Sequence, residues 1–246
     1  MAKSSKTTTT RRGTSPKYEY SPLVEVIFEV RFPGEPAVEC HRDRFFNEIR
    51  DDFPTVWVPH VEPGKPLSMQ PYHFKTNDGS ESVMVAINRF AYSARRYEGF
   101  EAFRPHALSL VKKFCGKYGI KKLSRTGLRY VNVIPFLRSD DLVPWTKYFT
   151  VNLAMPESSM KEVSNVALVL ESRSATGKMT TRIACGKSED ETQEVFILDF
   201  DFSKTKALDV SKIPQYLDES HEHTKKVFEG VVSESYKAVM RGEVIG

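Results

Sequence analysis

The chain has 246 residues, 40% apolar and 28% charged, with a formal net charge of +4, a composition and length that fit one large globular domain or two small ones. No apolar run approaches the roughly 18–20 residues of a membrane-spanning helix. Residues 1–17 have no apolar signal-peptide core, and Cys40, Cys115 and Cys185 form neither a CxxC pair nor a zinc pattern. These features exclude helical membrane proteins and disulfide scaffolds, and they predict a cytoplasmic protein with reduced thiols and no bound metal or cofactor.

Residues 1–19 read as a disordered basic tail. Their Ser/Thr-rich, non-periodic pattern cannot bury enough apolar surface to offset the entropy of ordering. Five of the 36 basic residues and one of the 32 acidic residues fall in 1–20, leaving 31 of each in the body. Arg11 and Arg12 make the tail a candidate contact for nucleic acid.

Residues 20–240 read as one α+β domain, followed by a short C-terminal tail over 241–246. In Ser21–Phe32, Val24, Val26, Phe28, Val30 and Phe32 share a core face, and Glu25, Ile27, Glu29 and Arg31 share the other. Helical spacing of Val38, Phe45, Phe46 and Ile49 predicts a helix over about Pro36–Asp52, stopped by Pro54. A short extended piece at Val56–Val58 precedes a loop at Pro63-Gly64. Gln70–Lys75 and Ser82–Asn88 flank Asn77-Asp78-Gly79, a hairpin signal. Phe90–Tyr97 continues as a strand, and Glu101–Tyr118 as a helix ending at Gly119.

The order then begins again. Gly127–Phe136 alternates as a strand whose Arg129 faces opposite to Tyr130 and Asn132. Asp140–Phe149 is expected as a short helix. Asn165–Ser174, Met179–Gly186 and Glu194–Phe202 are expected as three strands. A long helix from Ile213 carries Val227, Phe228, Val231, Val232, Tyr236 and Val239 on its apolar side. Two β-α-β(3)-α halves, about 21–119 and 127–240, predict one curved antiparallel sheet with the long helices on one face, as in TATA-binding-protein-like or helix-grip-like architectures.

The richest polar constellation lies on the predicted open sheet face: Glu25, Glu29, Arg31, Arg129, Arg173, Arg182, Asp199 and Asp201. It reads either as a solvated face laced with weak ion pairs or as a recognition surface. Arg95 and Arg96 beside Tyr97 add a small basic-aromatic cluster suited to phosphate or base contact. His221-Glu222-His223 looks metal-like, but i and i+2 diverge on a helix and HExxH is absent. No GxGxxG, P-loop or GxSxG motif is present.

Three short motifs in order carry a family resemblance. These are Pro22, Leu23 and Glu25 in an opening strand, Arg129, Tyr130 and Asn132 at mid-chain, and His221 and Phe228 on the last long helix. With them the chain resembles a sporadically distributed prokaryotic family of about this length that has no established activity. Its patchy occurrence, like that of mobile or defence islands, implies an accessory or antitoxin-like role in a defence or toxin-linked locus. The leading expectation is therefore a non-catalytic recognition protein whose polar sheet face binds a protein partner. Nucleic-acid binding through the tail and Arg95/Arg96 is an alternative, as is a metal-dependent hydrolase or nuclease built on Asp199 and Asp201. Oligomeric state is not legible.

Overall fold

The computed structural model describes residues 18–59, 70–151 and 163–243. Residues 1–17 of the expected tail, with Arg11 and Arg12, and the loop at Pro63-Gly64 lie outside the described residues; Tyr18 and Glu19 are held against the body through Glu229 and the Met240 carbonyl, each at 2.8 Å. In the first half, β1 (Leu23–Arg31) leads to α1 (Pro36–Cys40) and α2 (Arg42–Ile49). The strands β2 (Thr55–Trp57), β3 (Tyr72–Lys75), β4 (Glu81–Ala86) and β5 (Arg89–Ala94) follow, and α3 (Phe100–Lys117) closes the half. In the second half, β6 (Lys122–Leu123) and β7 (Arg125–Pro135) precede α4 (Trp145–Tyr148). Then come β8 (Ala167–Arg173), β9 (Lys178–Lys187), β10 (Glu194–Lys204), β11 (Leu208–Asp209), α5 (Ile213–Val231) and α6 (Glu234–Met240).

Nine strands form one curved sheet in the order β2-β3-β4-β5-β1-β7-β10-β9-β8, and every neighbouring pair is antiparallel. β1 and β7, the opening strands of the two halves, lie side by side at the centre. Each is flanked outward by the strand that precedes its half's long helix, β5 or β10. The α+β class and the single antiparallel sheet are as the sequence predicts, because the alternating strands each carry one apolar face that only a shared cover can bury.

That cover is α3 and α5. Val26, Phe28 and Val30 of β1, Leu128 and Ile134 of β7, and Phe196, Leu198, Phe200 and Phe202 of β10 are all buried on the helix side, with Phe196 packed against Phe136, Trp145, Tyr148 and Phe149 around α4. Tyr92 stacks on Phe103 of α3. The Tyr216 hydroxyl of α5 reaches the carbonyls of Thr126 and Phe202 at 2.8 and 2.9 Å. Arg104 of α3 grips Asp218 of α5 through two hydrogen bonds of 2.5 and 2.8 Å. The β3–β4 hairpin turns at Gly79, whose φ of +68° is open to glycine without strain.

Several expectations are corrected. Val24 is 41% exposed, not core: the β1–β7 register shifts between Leu23 and Glu25, and a bulge there turns Leu23 to the core side instead. The helix over 36–52 breaks at His41 (φ −134°, ψ 43°) into α1 and α2. Asp140 and Asp141 have φ of 49° and 64°, left-handed values that a helix start excludes, so only Trp145–Tyr148 of that segment is helical. The last helix stops at Val231 and restarts after Ser233, whose side chain caps α6 by accepting the Tyr236 N–H. The restart changes the helical phase and leaves Val239 39% exposed. The two-stranded β6–β11 pairing was not anticipated; strands of two residues carry too little alternation to be read.

Candidate functional site

The sheet face opposite α3 and α5 has no helix over it among the described residues. Its centre is a lattice of charges set by the register. In β10, Asp199 pairs with Val131 of β7 and Arg182 of β9, and Asp201 pairs with Arg129 and Thr180. The alternation that buries Phe200 and Phe202 therefore puts both carboxylates outward between strands bearing arginine.

Asp199 accepts two hydrogen bonds from Arg129, at 2.8 and 3.0 Å, and one from Arg182 at 3.0 Å. The two arginine side chains remain 45% exposed while the carboxylate between them is 4% exposed. Arg125 extends the lattice across the central pair, donating to Glu29 at 2.7 Å and to Asp201 at 3.0 Å. Glu29 also accepts from Arg31 at 2.8 Å and lies 3.6 Å from Arg89. Glu25 accepts from the Ser93 hydroxyl at 2.5 Å. Arg173, on the edge strand β8, shares a face with Glu171 by register. The eight residues singled out from sequence thus fall on one face, seven of them in or near the lattice and Arg173 at its margin.

Arg125 was missed because the strand was expected to start at Gly127. The alternation Arg125, Gly127, Arg129 carried the signal. For Asp199 and Asp201 the lattice also bears on metal chemistry. Three guanidinium groups occupy the carboxylate oxygens, a setting hostile to a divalent cation. Among the described residues no group of three or more His, Cys, Asp and Glu side chains is placed to hold an ion.

The other motif residues gather on the opposite, helix-covered side. Tyr130, Asn132, His221 and Phe228 line one open cleft of about 730 Å³ between β7, the start of α3 and the middle of α5. Arg129, the fifth, points away from it. The Tyr130 hydroxyl lies 2.8 Å from His221 Nδ1. Burial pushes the His221 imidazole below its ordinary value and, with Tyr97 beside it, holds the Tyr130 phenol well above its own. Both groups are thus neutral near pH 7, and the contact joins a phenol and an uncharged imidazole. The His221 ring stacks flat on Phe100, centroids 3.9 Å apart at 3°. Asn132 donates to the Leu198 carbonyl at 3.0 Å, and Tyr97 meets Tyr130 edge-on at 6.0 Å. Phe100 and Tyr97 were not anticipated in this cleft, since they reach it from the α3 junction across a long stretch of chain.

The metal-like triplet on α5 separates. His221 turns to Tyr130, His223 packs against the Phe202 ring at 4.8 Å, and Asp218 is held by Arg104. Arg95 and Arg96 are 63% and 75% exposed and stand near Glu189 and Glu98, at 3.9 and 3.6 Å. No helix of the described residues is long and apolar enough to cross a membrane. No family model matches the chain, and no curated protein matches it. The family resemblance therefore remains an expectation carried by the motifs themselves.

Proposed function

We propose that the protein is a non-catalytic recognition protein that engages a protein partner through the open sheet face. The observation that carries this reading is the uncovered lattice around Asp199, Arg129 and Arg182. Its charges are held in place before any partner arrives, so binding costs less side-chain ordering than a surface of loose lysines. Exposed apolar groups lie beside it: Ile197 at 36% and Val169 at 60%. Charged groups in fixed register with apolar neighbours match the anatomy of a protein interface, where polar groups set orientation and apolar ones supply affinity. The accessory or antitoxin-like role in a defence or toxin-linked locus is part of the proposal and rests on the motif resemblance.

A second reading, nucleic-acid binding, has one observation in its favour. By register the open face carries Arg31, Lys75, Arg89, Arg125, Arg129, Arg173, Lys178 and Arg182 against Glu25, Glu29, Glu171, Asp199 and Asp201, eight cations to five anions. The interleaved carboxylates would repel a phosphate backbone, which places this reading second.

A photo-crosslinking amino acid at Ile197, and separately at Val239 on the helix side, tests both in the producing cell. The partner reading expects a discrete protein adduct from Ile197 and none from Val239. Adducts that vanish on nuclease treatment, together with affinity that falls steeply with salt, would transfer the function to the second reading. No adduct from Ile197 would end the proposal.

A further inference from the structure

The open cleft beneath α5 is separate from the sheet face, and neither the partner reading nor the nucleic-acid reading uses it. We propose that this cleft binds an organic cation, an ammonium group carried on an apolar body. Two features, its shape and lining and the charge of its rim, point to that ligand class, and a third, a buried hydroxyl, adds a polar group to its wall.

The first is shape and lining. The cleft measures about 730 Å³, within the range of small-molecule sites. Tyr97, Phe100, Tyr130 and Phe228 line it, and aromatic faces attract cations through their quadrupole.

The second is charge. Glu98, Glu101, Asp218, Glu222 and Glu229 surround the cleft, with Lys225 as the cation among its lining residues. Asp218 is committed to Arg104, at 2.5 Å, and Glu229 to Tyr18 and Lys237, at 2.8 and 3.5 Å. Glu101 and Glu222 stand exposed at the rim. The N-terminus of α3 opens on the same cleft and by itself would favour an anion. Glu98 beside that terminus lies 3.6 Å from Arg96, and Glu101 and Glu222, outside any ion pair among the described residues, leave two carboxylates at the rim against Lys225 to act on the ligand.

The third is an unanswered hydrogen-bonding group. Thr224 lines the cleft and is 3% exposed, and its hydroxyl oxygen has no partner. A buried hydroxyl without a partner is uncommon and costs stability. The hydroxyl can donate as well as accept and its oxygen is sealed from solvent, so it marks a polar spot in the wall without choosing the ligand's charge. His221 and Asn132 line the same wall.

Calorimetric titration of the full chain with phenethylamine, and with phenylacetate as the probe of similar shape and opposite charge, tests the inference. Saturable binding of phenethylamine is expected, with phenylacetate at least about tenfold weaker. The double variant Glu101→Gln/Glu222→Gln should weaken phenethylamine about tenfold. Both positions are exposed, so folding is not at stake, and circular dichroism verifies it. Asp201→Asn, on the other face, should leave the affinity unchanged. Equal binding of the two probes, absence of saturable phenethylamine binding, or an unaltered affinity in the double variant would each overturn the inference. None of these outcomes depends on whether a protein partner exists.

Discussion

Asp199→Asn is the perturbation whose cost can be worked most directly from the geometry. The side chain is 4% exposed and accepts three N–H groups from two arginines, each of whose side chains is 45% exposed. Asparagine keeps the volume, but it removes the charge and turns an NH₂ group toward at least one guanidinium donor. Breaking a fully buried pair from one side costs about 3–5 kcal/mol, while an exposed pair is worth about 0–1 kcal/mol. The stranded arginines recover much of their hydration, so the expected loss is about 2 kcal/mol, between these limits. For a domain of this size that corresponds to a Tm about 4–8 °C lower. Asp201→Asn is the internal reference. It is 21% exposed and held by Arg125, and its expected loss is about 0.5 kcal/mol. Urea unfolding at 25 °C with unchanged m-values would compare the two variants. Equal losses would refute the claim that Asp199 is the keystone of the lattice. A double-mutant cycle with Arg129→Met should return a coupling of about 1–2 kcal/mol, and a coupling of zero would assign the loss to something other than the ion pair.

Three further outcomes follow from single residues. Burial holds His221 below its ordinary value of 6.5. Below that pH the unfolded chain takes up the proton that the folded chain declines, so stability falls as pH drops through this window. His221→Gln should flatten the decline in urea midpoint between about pH 7 and pH 5, with His73, shifted in the same direction, supplying part of what remains; an unaltered slope would contradict this. Cys115 is 2% exposed, with its thiol pushed up to about 12 by burial. Peptide mass spectrometry after iodoacetamide treatment of the native protein should find Cys40 modified and Cys115 intact. A methyl group at Gly177 would lie 2.7 Å from the Phe202 ring and 2.8 Å from the Ser203 carbonyl oxygen. Gly177→Ala should therefore cost about 1–3 kcal/mol in urea unfolding, and a neutral result would mean that the β8–β9 turn shifts freely.

The sheet was legible because its strands alternate cleanly. Phe196, Leu198, Phe200 and Phe202 leave no doubt about which way Asp199 and Asp201 point, and the same parity separates Arg129 from Tyr130 and Asn132. The sheet order, with the two opening strands side by side at the centre, was not read from the sequence, because it depends on which strands meet across the halves. What also escaped were features set by single backbone positions. The bulge that exposes Val24 arises from pairing with β7 about a hundred residues away. The break at His41 and the left-handed Asp140 and Asp141 are local conformations that apolar periodicity does not encode. The cleft was legible only in part. Tyr130, Asn132, His221 and Phe228 were marked by their motifs, but their convergence with Phe100 and Thr224 needs the packing of α5 over β7, which no local pattern contains.

The central β1–β7 pairing has a consequence for how the chain is made. Val26 of β1 faces Tyr130 of β7, so during synthesis the first half emerges with one long edge of β1 bare until the strand at 125–135 leaves the ribosome. An unpaired edge of this kind is a template for any matching strand. The β7 of a neighbouring copy offers the same hydrogen bonds and the same side-chain register as the chain's own. Correct joining of the halves is therefore a contest between proximity along one chain and the local concentration of others. Dilute, slow production favours the joined molecule, and crowded production favours chains that exchange halves.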